Sequence, residues 1–122
     1  LTVFNPLEGT VVIMKIYTAM ADMSVKTNYP GAESYPIFHR ANAPVEGFTA
    51  MLNHFTGREY PAPGVHEDNE GFYVISGEGM IHLEEGEYPL TAGTAILVPA
   101  GVPHAIKKIG QDDLVIFIYH FS

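Results

Sequence analysis

Turn-forming residues recur along the whole chain and leave few uninterrupted stretches. The sequence contains 9 Pro and 12 Gly among its 122 residues, spread out rather than clustered. Proline breaks the interior of a helix, and both residues favour turns. One short segment, residues 19–25, has a helical pattern, and Pro30 and Gly31 soon follow it. Short extended runs bounded by turn residues predict an all-β sandwich or barrel.

Seven runs have the apolar or alternating character of strands. They cover residues 11–17, 48–55, 72–76, 80–84, 95–98, 104–108 and 114–121. Glu85-Gly86 predicts a hairpin turn into a further run at residues 87–90, and the acidic segment 110–113 predicts a turn between the last two strands. The length suits one domain.

The last run, LVIFIYHF at residues 114–121, is apolar on both faces. Alternation places Leu114, Ile116 and Ile118 on one side and Val115, Phe117, Tyr119 and Phe121 on the other. A strand that is apolar on both faces has to be covered on both. One face can fill a core, and the other needs a second sheet or a partner chain. In so short a chain, this pattern predicts a homodimer.

Charge and cysteine content exclude several classes of protein. Six Lys and Arg against 14 Asp and Glu give a formal net charge of −8, whereas phosphate binding needs an excess of basic residues on one face. No segment approaches the roughly 20 apolar residues that span a bilayer. The lack of Cys excludes disulfide scaffolds and thiol catalysis. We therefore expect no nucleic-acid or membrane partner. Residues 1–14 lack the features of a signal peptide, so the expected location is the cytoplasm.

Two strings of residues stand out in this sequence. The first, GVHEDNEGFYVISGEG at residues 64–79, places His66 and Glu70 four residues apart, on one face of an extended strand. Such a pair arises by chance roughly 0.7 times in a chain of this composition. The second, residues 93–104, is Gly, five residues, Pro, one residue, Gly, two residues, His. Composition alone gives this spacing in about one of several hundred chains.

The two strings resemble the two motifs of the cupin superfamily, whose members are double-stranded β-helix (jelly-roll) barrels. The resemblance covers residues 64–108, and the strand pattern from about residue 48 to residue 121 is compatible with it. It implies a single cupin domain over residues 1–122, with the barrel core at about 48–121 and N-terminal strands and loops at 1–47. The second motif matches at Gly93, Pro99, Gly101 and His104. It departs at Lys108, where the family favours Asn, and we interpret this Lys as a surface residue.

The first motif matches at His66, Glu70 and Gly77, and departs at Gly64, where the family has its first metal-ligating His. The resemblance implies that His66, Glu70 and His104 point into the barrel and bind one divalent metal ion. Two His and one carboxylate form a facial triad with open positions for water, substrate or dioxygen. Such a set suits Fe(II), and Mn, Ni, Co and Zn are alternatives.

The missing motif residue leaves two alternatives. Either another side chain replaces it, with His54, Glu67 and Asp68 nearest in sequence, or the site is degenerate and the barrel binds its ligand with little or no metal. Alternation places Asp68 on the face of His66 and Glu70, and Glu67 away from it.

The run at residues 48–55 supplies a further candidate. His54 shares a face with Ala50 and Leu52, which we take as the interior, whereas Met51 and Asn53 lie on the alternate face. His54 is therefore a candidate extra ligand or substrate contact in the pocket.

Phe72 and Asp68 are the other pocket candidates. Phe72 follows Glu70 on its face and supplies an apolar wall. Of the remaining histidines, we interpret His82 as facing solvent and His120 as packed at an interface.

These features support two hypotheses for function. The first is a small metal-dependent enzyme that acts on a small organic acid, sugar or carbonyl compound, by dioxygenase, isomerase or lyase chemistry. The second is a non-catalytic cupin that binds or senses a small molecule with a degenerate metal site, which the departures at Gly64 and Lys108 favour. Glu70 and His104 are costly to bury without a partner, which argues against an unused cavity.

Overall fold

The computed structural model describes residues 2–6, 8–13, 18–19, 23–39, 42 and 45–122, and these form strands, turns and loops. The strands are β1 (Thr2–Asn5), β2 (Thr10–Ile13), β3 (Lys26–Tyr29), β4 (Ala32–Phe38), β5 (Phe48–Phe55), β6 (Asn69–Ser76), β7 (Glu78–Leu83), β8 (Gly86–Thr91), β9 (Ala95–Val98), β10 (Ala105–Lys108) and β11 (Leu114–Phe121). None of the described residues belongs to a helix that is long and apolar enough to cross a membrane.

The strands pair antiparallel in three sheets. The largest has the order β3-β4-β5-β11-β6-β9, a second has the order β10-β7-β8, and β1 pairs with β2. The last strand of the chain, β11, lies in the middle of the large sheet, between β5 and β6. Two facing antiparallel sheets joined by such long-range pairings form a jelly roll. The predicted all-β, double-stranded β-helix class is confirmed.

Most of the predicted strands are present. Those at residues 48–55, 95–98 and 114–121 are confirmed as β5, β9 and β11, while β6, β7 and β10 differ from prediction only near their ends. The turn before β8 lies at residues 84–85, one residue earlier than predicted, because Leu83 already pairs with Gly86. The sequence does not predict β1, β3 or β4.

Two predicted elements fall partly on residues outside the described ones. Residues 14–17 of the predicted strand at 11–17 and residues 20–22 of the helical segment at 19–25 are among these. The described remainder of the helical segment, residue 19 and residues 23–25, forms neither helix nor strand.

The hydrophobic core lies between the large sheet and the three-stranded sheet. It joins Val74 of β6, Ile81 of β7 and Ile116 of β11, each with no exposed surface. Burying such a side chain contributes about 1.5–3 kcal/mol. The face of β11 that carries Leu114, Ile116 and Ile118 is the inner one, because all three residues belong to this cluster.

Gly77 makes the sharp connection from β6 in the large sheet to β7 in the small one. Its φ is 83°, a conformation that glycine adopts without strain. A Cβ at this position would also lie only 2.8 Å from Cα of Leu114. Any larger residue would push the two sheets apart at this corner.

Candidate metal centre

Four side chains from separate parts of the chain meet at one end of the space between the sheets. Glu70 of β6 and His120 of β11 are directly opposite each other in the strand register. His104 immediately precedes β10, and His66 lies in the loop before β6. A backbone bridge joins the two motif strings, with Gly64 N–H donating to the His104 carbonyl at 2.8 Å and the reverse bond at 3.1 Å.

Three imidazole nitrogens converge on one carboxylate. Nε2 of His120 lies 2.7 Å from Oε2 of Glu70, and Nε2 of His66 lies 3.5 Å from the same oxygen. Nε2 of His104 lies 3.1 Å from the other oxygen, Oε1. The Glu70 side chain is only 9% exposed, so these groups meet largely out of contact with water.

The second nitrogen of each imidazole is held by an oxygen. Nδ1 of His104 lies 3.0 Å from the carbonyl oxygen of Val102. Nδ1 of His66 lies 2.7 Å from the Asp68 carboxylate, and Nδ1 of His120 lies 3.2 Å from the same carboxylate. Because these oxygens only accept hydrogen bonds, each neutral ring carries its proton on Nδ1 and keeps a lone pair on Nε2. This is the tautomer that metal-binding histidines adopt.

The charges of the cluster favour an ionised carboxylate. Burial on its own raises the pKa of Glu70, but hydrogen bonds from His104 and His120 outweigh burial and hold the pKa at about 2. Burial lowers the pKa of His104, and the hydrogen bond to Glu70 outweighs it and raises the pKa. The same hydrogen bond raises the pKa of His120 against the effect of burial. In the metal-free site, Glu70 and the imidazoles of His104 and His120 therefore stabilise each other's charged forms.

The four side chains form one end of a cavity of about 320 Å³. The wall of the cavity is mainly apolar and includes Met51, Phe55, Phe72, Ile106 and Ile118. Tyr29 and Asn53 add polar groups to it. Burial, and then the negative charge of Glu70, raise the pKa of Tyr29, so that its hydroxyl keeps its proton at neutral pH. Mostly apolar cavities with a few placed polar groups are typical of small-molecule sites.

Most of the residues singled out in the sequence meet at this site. His66, Glu70 and His104 lie together, and Phe72 lines the cavity beside them. Asp68 is not part of the wall. Its carboxylate instead contacts the imidazole of His66 and holds that ring in place.

His54 does not line this cavity, contrary to expectation. It pairs with Val115, which lies on the outer face of β11, and its ring packs edge-on against Tyr35 at a centroid distance of 5.3 Å. Met51 and Asn53 face the cavity instead. The predicted phase of β5 is wrong because both of its faces are largely apolar. Alternation without a clearly polar face does not say which side is inside.

His120, which the sequence places at an interface, lies in the site instead. It follows Ile116 and Ile118 on the inner face of β11, opposite Glu70. The sequence does carry a signal for this position, because alternation places residue 120 on the same face as residues 116 and 118.

Three other polar residues lie outside the cavity wall. Lys108 is buried rather than on the surface, and its Nζ donates to the carbonyl oxygen of Gln111 at 3.0 Å. Glu67 is exposed, as predicted, although the strand itself begins only at Asn69. His82 is exposed as expected and packs against the ring of Tyr60.

Three of the four side chains, those of His66, Glu70 and His120, fit a divalent metal ion as they stand, and His104 lies outside this group although its Nε2 is 3.1 Å from Oε1 of Glu70. Nε2 of His66 is buried and, within the described part of the chain, has no hydrogen-bond partner despite its approach to Glu70. A buried polar atom without a partner is costly. One ligand atom from each of His66, Glu70 and His120 lies within 4.8 Å of the others. Two ligands at about 2.1 Å from a shared ion are about 3.0–3.4 Å apart, close to the nitrogen–oxygen distances of 2.7–3.5 Å here.

Comparison with known proteins identifies the family. Residues 54–120 match the family model of the cupin domain. An uncharacterized protein of Methanocaldococcus jannaschii is 28% identical over 76 residues, which are 62% of this chain and 52% of that protein. The chain thus spans about half the length of this curated relative.

Solved structures share the fold at low sequence identity. The cupin domain of Cnp3 from Schizosaccharomyces pombe is similar over 100% of this chain and 85% of its own, with a TM-score of 0.78 and 11% identity. The polyketide cyclase RemF from Streptomyces resistomycificus is similar over 88% of this chain and 80% of its own, with a TM-score of 0.76 and 17% identity. The cupin model covers more than half of the sequence, and the fold agrees with it. The chain therefore belongs to the cupin family.

Proposed function

We propose that this cupin binds one divalent metal ion through His66, Glu70, His104 and His120. We further propose that it is an enzyme, acting on a small organic acid, sugar or carbonyl compound in the adjoining cavity. The observation that carries the proposal is the convergence of three imidazole Nε2 atoms on one buried carboxylate beside an apolar cavity. Two His and a carboxylate suit Fe(II), and a third His also suits Zn, Mn, Ni or Co.

In this proposal His120 replaces the ligand that is missing at Gly64. Gly64 lines the cavity, and a Cβ at this position would lie 3.9 Å from Nε2 of His104. Gly64 is exposed, and it contributes no side chain at the position where the family motif has a His. We infer that water or substrate approaches the ion from this side.

The residues of the chain have separate tasks in this chemistry. A bound ion would polarise a carbonyl or carboxylate group of the substrate, and a redox-active ion would instead activate dioxygen. Asp68 fixes the rings of His66 and His120 through their Nδ1 atoms. Phe72 and its apolar neighbours keep bulk water from the substrate. Tyr29, which keeps its proton, donates a hydrogen bond to a substrate oxygen.

An enzyme in this fold has a precedent. One structural neighbour is a polyketide cyclase. At 17% identity, this similarity shows a shared fold. The proposed reaction is of the dioxygenase, isomerase or lyase type.

A non-catalytic binding protein is the second candidate. The glycine at position 64 favours it, because loss of a ligand side chain is what a degenerate metal site shows. Such a protein would use the same cavity to bind or sense a small molecule, with little or no metal.

We also propose that the chain forms a homodimer through the outer face of the large sheet. Leu97 is 60% exposed and Tyr73 is 49% exposed on this face, beside the aromatic rings of Phe117 and Tyr119. An apolar patch of this kind on a small protein marks an interaction surface. A second copy of the chain covers it without requiring any other partner.

Elemental analysis of protein purified without chelator or nickel affinity tests the function. We expect about one divalent ion per wild-type chain. The His104→Ala variant should have a sharply lower metal content. Stoichiometric iron leads to oxygen-uptake assays with organic acids and diketones, and zinc, manganese or nickel to isomerase and lyase assays. If wild-type protein holds no metal and binds none on addition, the enzyme proposal is wrong and the binding protein takes its place.

A further inference from the structure

Asn53 is a polar residue in an apolar part of the cavity. It lies on the inner face of β5, opposite Ile116 and between Met51 and Phe55 on the same face. Asn53 is only 8% exposed, and its Oδ1 is buried without a hydrogen-bond partner in the described part of the chain. A buried amide without a partner costs more than a hydrocarbon side chain of the same shape. Packing alone therefore does not explain an asparagine here.

The position of Asn53 relative to the metal ligands is set by the strand register. His120 pairs with Thr49, and Asn53 lies four residues further along β5. At about 3.3 Å per residue, Asn53 is roughly 13 Å along the strand from Thr49, the residue that pairs with His120. His120 and Asn53 nevertheless line the same cavity. Asn53 therefore lines the same cavity as the metal ligands but is well separated from them along β5.

We propose that Asn53 binds the end of the ligand that is remote from the metal and so determines specificity. The ligand is then bifunctional, with a carboxylate or carbonyl group at the metal, an apolar middle and a second carbonyl or hydroxyl group at Asn53. Rotation of the amide about its Cβ–Cγ bond exchanges its oxygen and nitrogen, so Asn53 pairs with either an acceptor or a donor. This inference rests on the metal site of the proposed function.

The size of the cavity agrees with such a ligand. Its volume of about 320 Å³ is near the lower end of the range for small-molecule sites. A short-chain acid with two functional groups fits this space. The apolar wall between the two ends favours hydrocarbon over a further polar group.

Binding of matched 2-oxo acids tests the inference. The probes are 2-oxohexanoate with 2,5-dioxohexanoate, and 2-oxoheptanoate with 2,6-dioxoheptanoate, titrated calorimetrically into metal-loaded protein. Within at least one pair, we expect the acid with the second ketone to bind about tenfold more tightly to the wild-type protein. Asn53→Leu should remove this preference without weakening the binding of the plain acid, whose hydrocarbon end then meets an apolar side chain. Met51→Leu, a neighbouring change that keeps the wall apolar, should keep the preference.

Thermal unfolding of the metal-free variants separates recognition from a structural role. We expect Asn53→Leu to unfold at the same or a higher temperature than wild type, because it removes a buried amide oxygen that has no hydrogen-bond partner in the described part of the chain. A clear fall in its unfolding temperature overturns the inference, as does equal binding within both probe pairs or a preference that survives in Asn53→Leu. Metal content of the same samples distinguishes the two proposals. Wild-type protein without metal refutes both, whereas metal-loaded protein without the preference refutes the role of Asn53 alone.

Discussion

The two faces of β11 are built from similar residues but end differently. The inner face runs through Ile116 and Ile118 into the core and ends at His120, beside a buried carboxylate. The outer face continues as a row of rings, with Phe117 and Tyr119 6.0 Å apart and Tyr119 stacked on Phe121 at 5.9 Å. Both faces are apolar over most of their length. The difference at the end shows that one strand carries the core, the candidate metal centre and the candidate interface.

Burial explains why the two faces tolerate different residues. A histidine on the inner face has to find partners for both ring nitrogens, and His120 has Asp68 on one side and Glu70 on the other. On the outer face, Tyr73 and Leu97 remain half or more exposed. Changes on the inner face should therefore affect metal binding, and changes on the outer face should affect assembly.

The largest effect is expected when His120 is removed. We expect His120→Ala to weaken metal binding by more than about 100-fold, beyond what is lost with residues that only support a ligand. Phe121→Ala, one residue further on the outer face, should leave the affinity unchanged. Competition with a chelating dye measures both. Equal affinity in the two variants would mean that His120 is not a ligand.

A smaller loss is expected for Asp68, which supports two imidazoles without lining the cavity. Asp68→Ala should weaken metal binding by about 10–100-fold, because His120 loses its oxygen partner and His66 keeps only the backbone carbonyl of residue 68, at 3.1 Å from its Nδ1. Asp112→Ala removes an exposed acid elsewhere and serves as the matched control for charge. The same chelator competition applies, and a loss shared by both variants would indicate a general charge effect.

The outer face gives the matching prediction for assembly. Leu97→Glu should raise the dimer dissociation constant by at least about tenfold, because it places a charge in the proposed interface. Val11→Glu changes a residue of similar exposure, 69%, on β2 and should not affect assembly. Sedimentation measures both, with metal content expected to be unchanged. A wild-type protein that sediments as a monomer contradicts the proposed dimer.

The smallest effect is the pH dependence of the metal-free protein. The lowered pKa of Glu70 contributes stability that is present above the usual value of 4.5 and is lost as pH falls toward about 2. The raised pKa values of His104 and His120 contribute stability that is present below 6.5 and is lost as pH rises through the raised values. Both contributions are therefore fully present together between about pH 4.5 and pH 6.5.

Unfolding of wild type and Glu70→Gln across pH isolates this contribution. The difference in stability should be largest between about pH 4.5 and 6.5, the usual pKa values of the two groups. Metal affinity should instead rise with pH, because the imidazoles must lose their protons to bind an ion. A stability difference that is constant across pH would show that the cluster does not ionise in this way.

The sequence predicts the later strands well and the early ones poorly. Alternation and turn residues are sufficient for β5, β9 and β11. The sequences of β3 (KTNY) and β4 (AESYPIF) have polar residues and a Pro in place of a clear apolar pattern. These strands depend on pairing along the edge of a sheet, as β4 pairs with β5. Pairing of this kind is not visible in a local pattern.

The sequence likewise predicts one part of the candidate site and misses another. Spacing and the resemblance to cupins indicate His66, Glu70 and His104, which the fold does bring together. The pattern assigns His54 to the pocket wrongly, because a strand with two apolar faces does not specify its phase. It misses His120 although alternation places this residue beside Ile118, because the contact with Glu70 depends on β11 pairing with β6 across 50 residues of sequence.

Anomalous diffraction from crystals of the protein grown with Mn²⁺ or Co²⁺ tests the central claim most directly. We expect one peak within about 2.0–2.3 Å of a carboxylate oxygen of Glu70 and of the Nε2 atoms of His66, His104 and His120. Occupancy should be clearly lower in His120→Ala crystals that are grown at an ion concentration just sufficient to saturate the wild-type protein. A peak coordinated without His120, or no peak among these four side chains at a saturating ion concentration, would contradict the proposed metal centre.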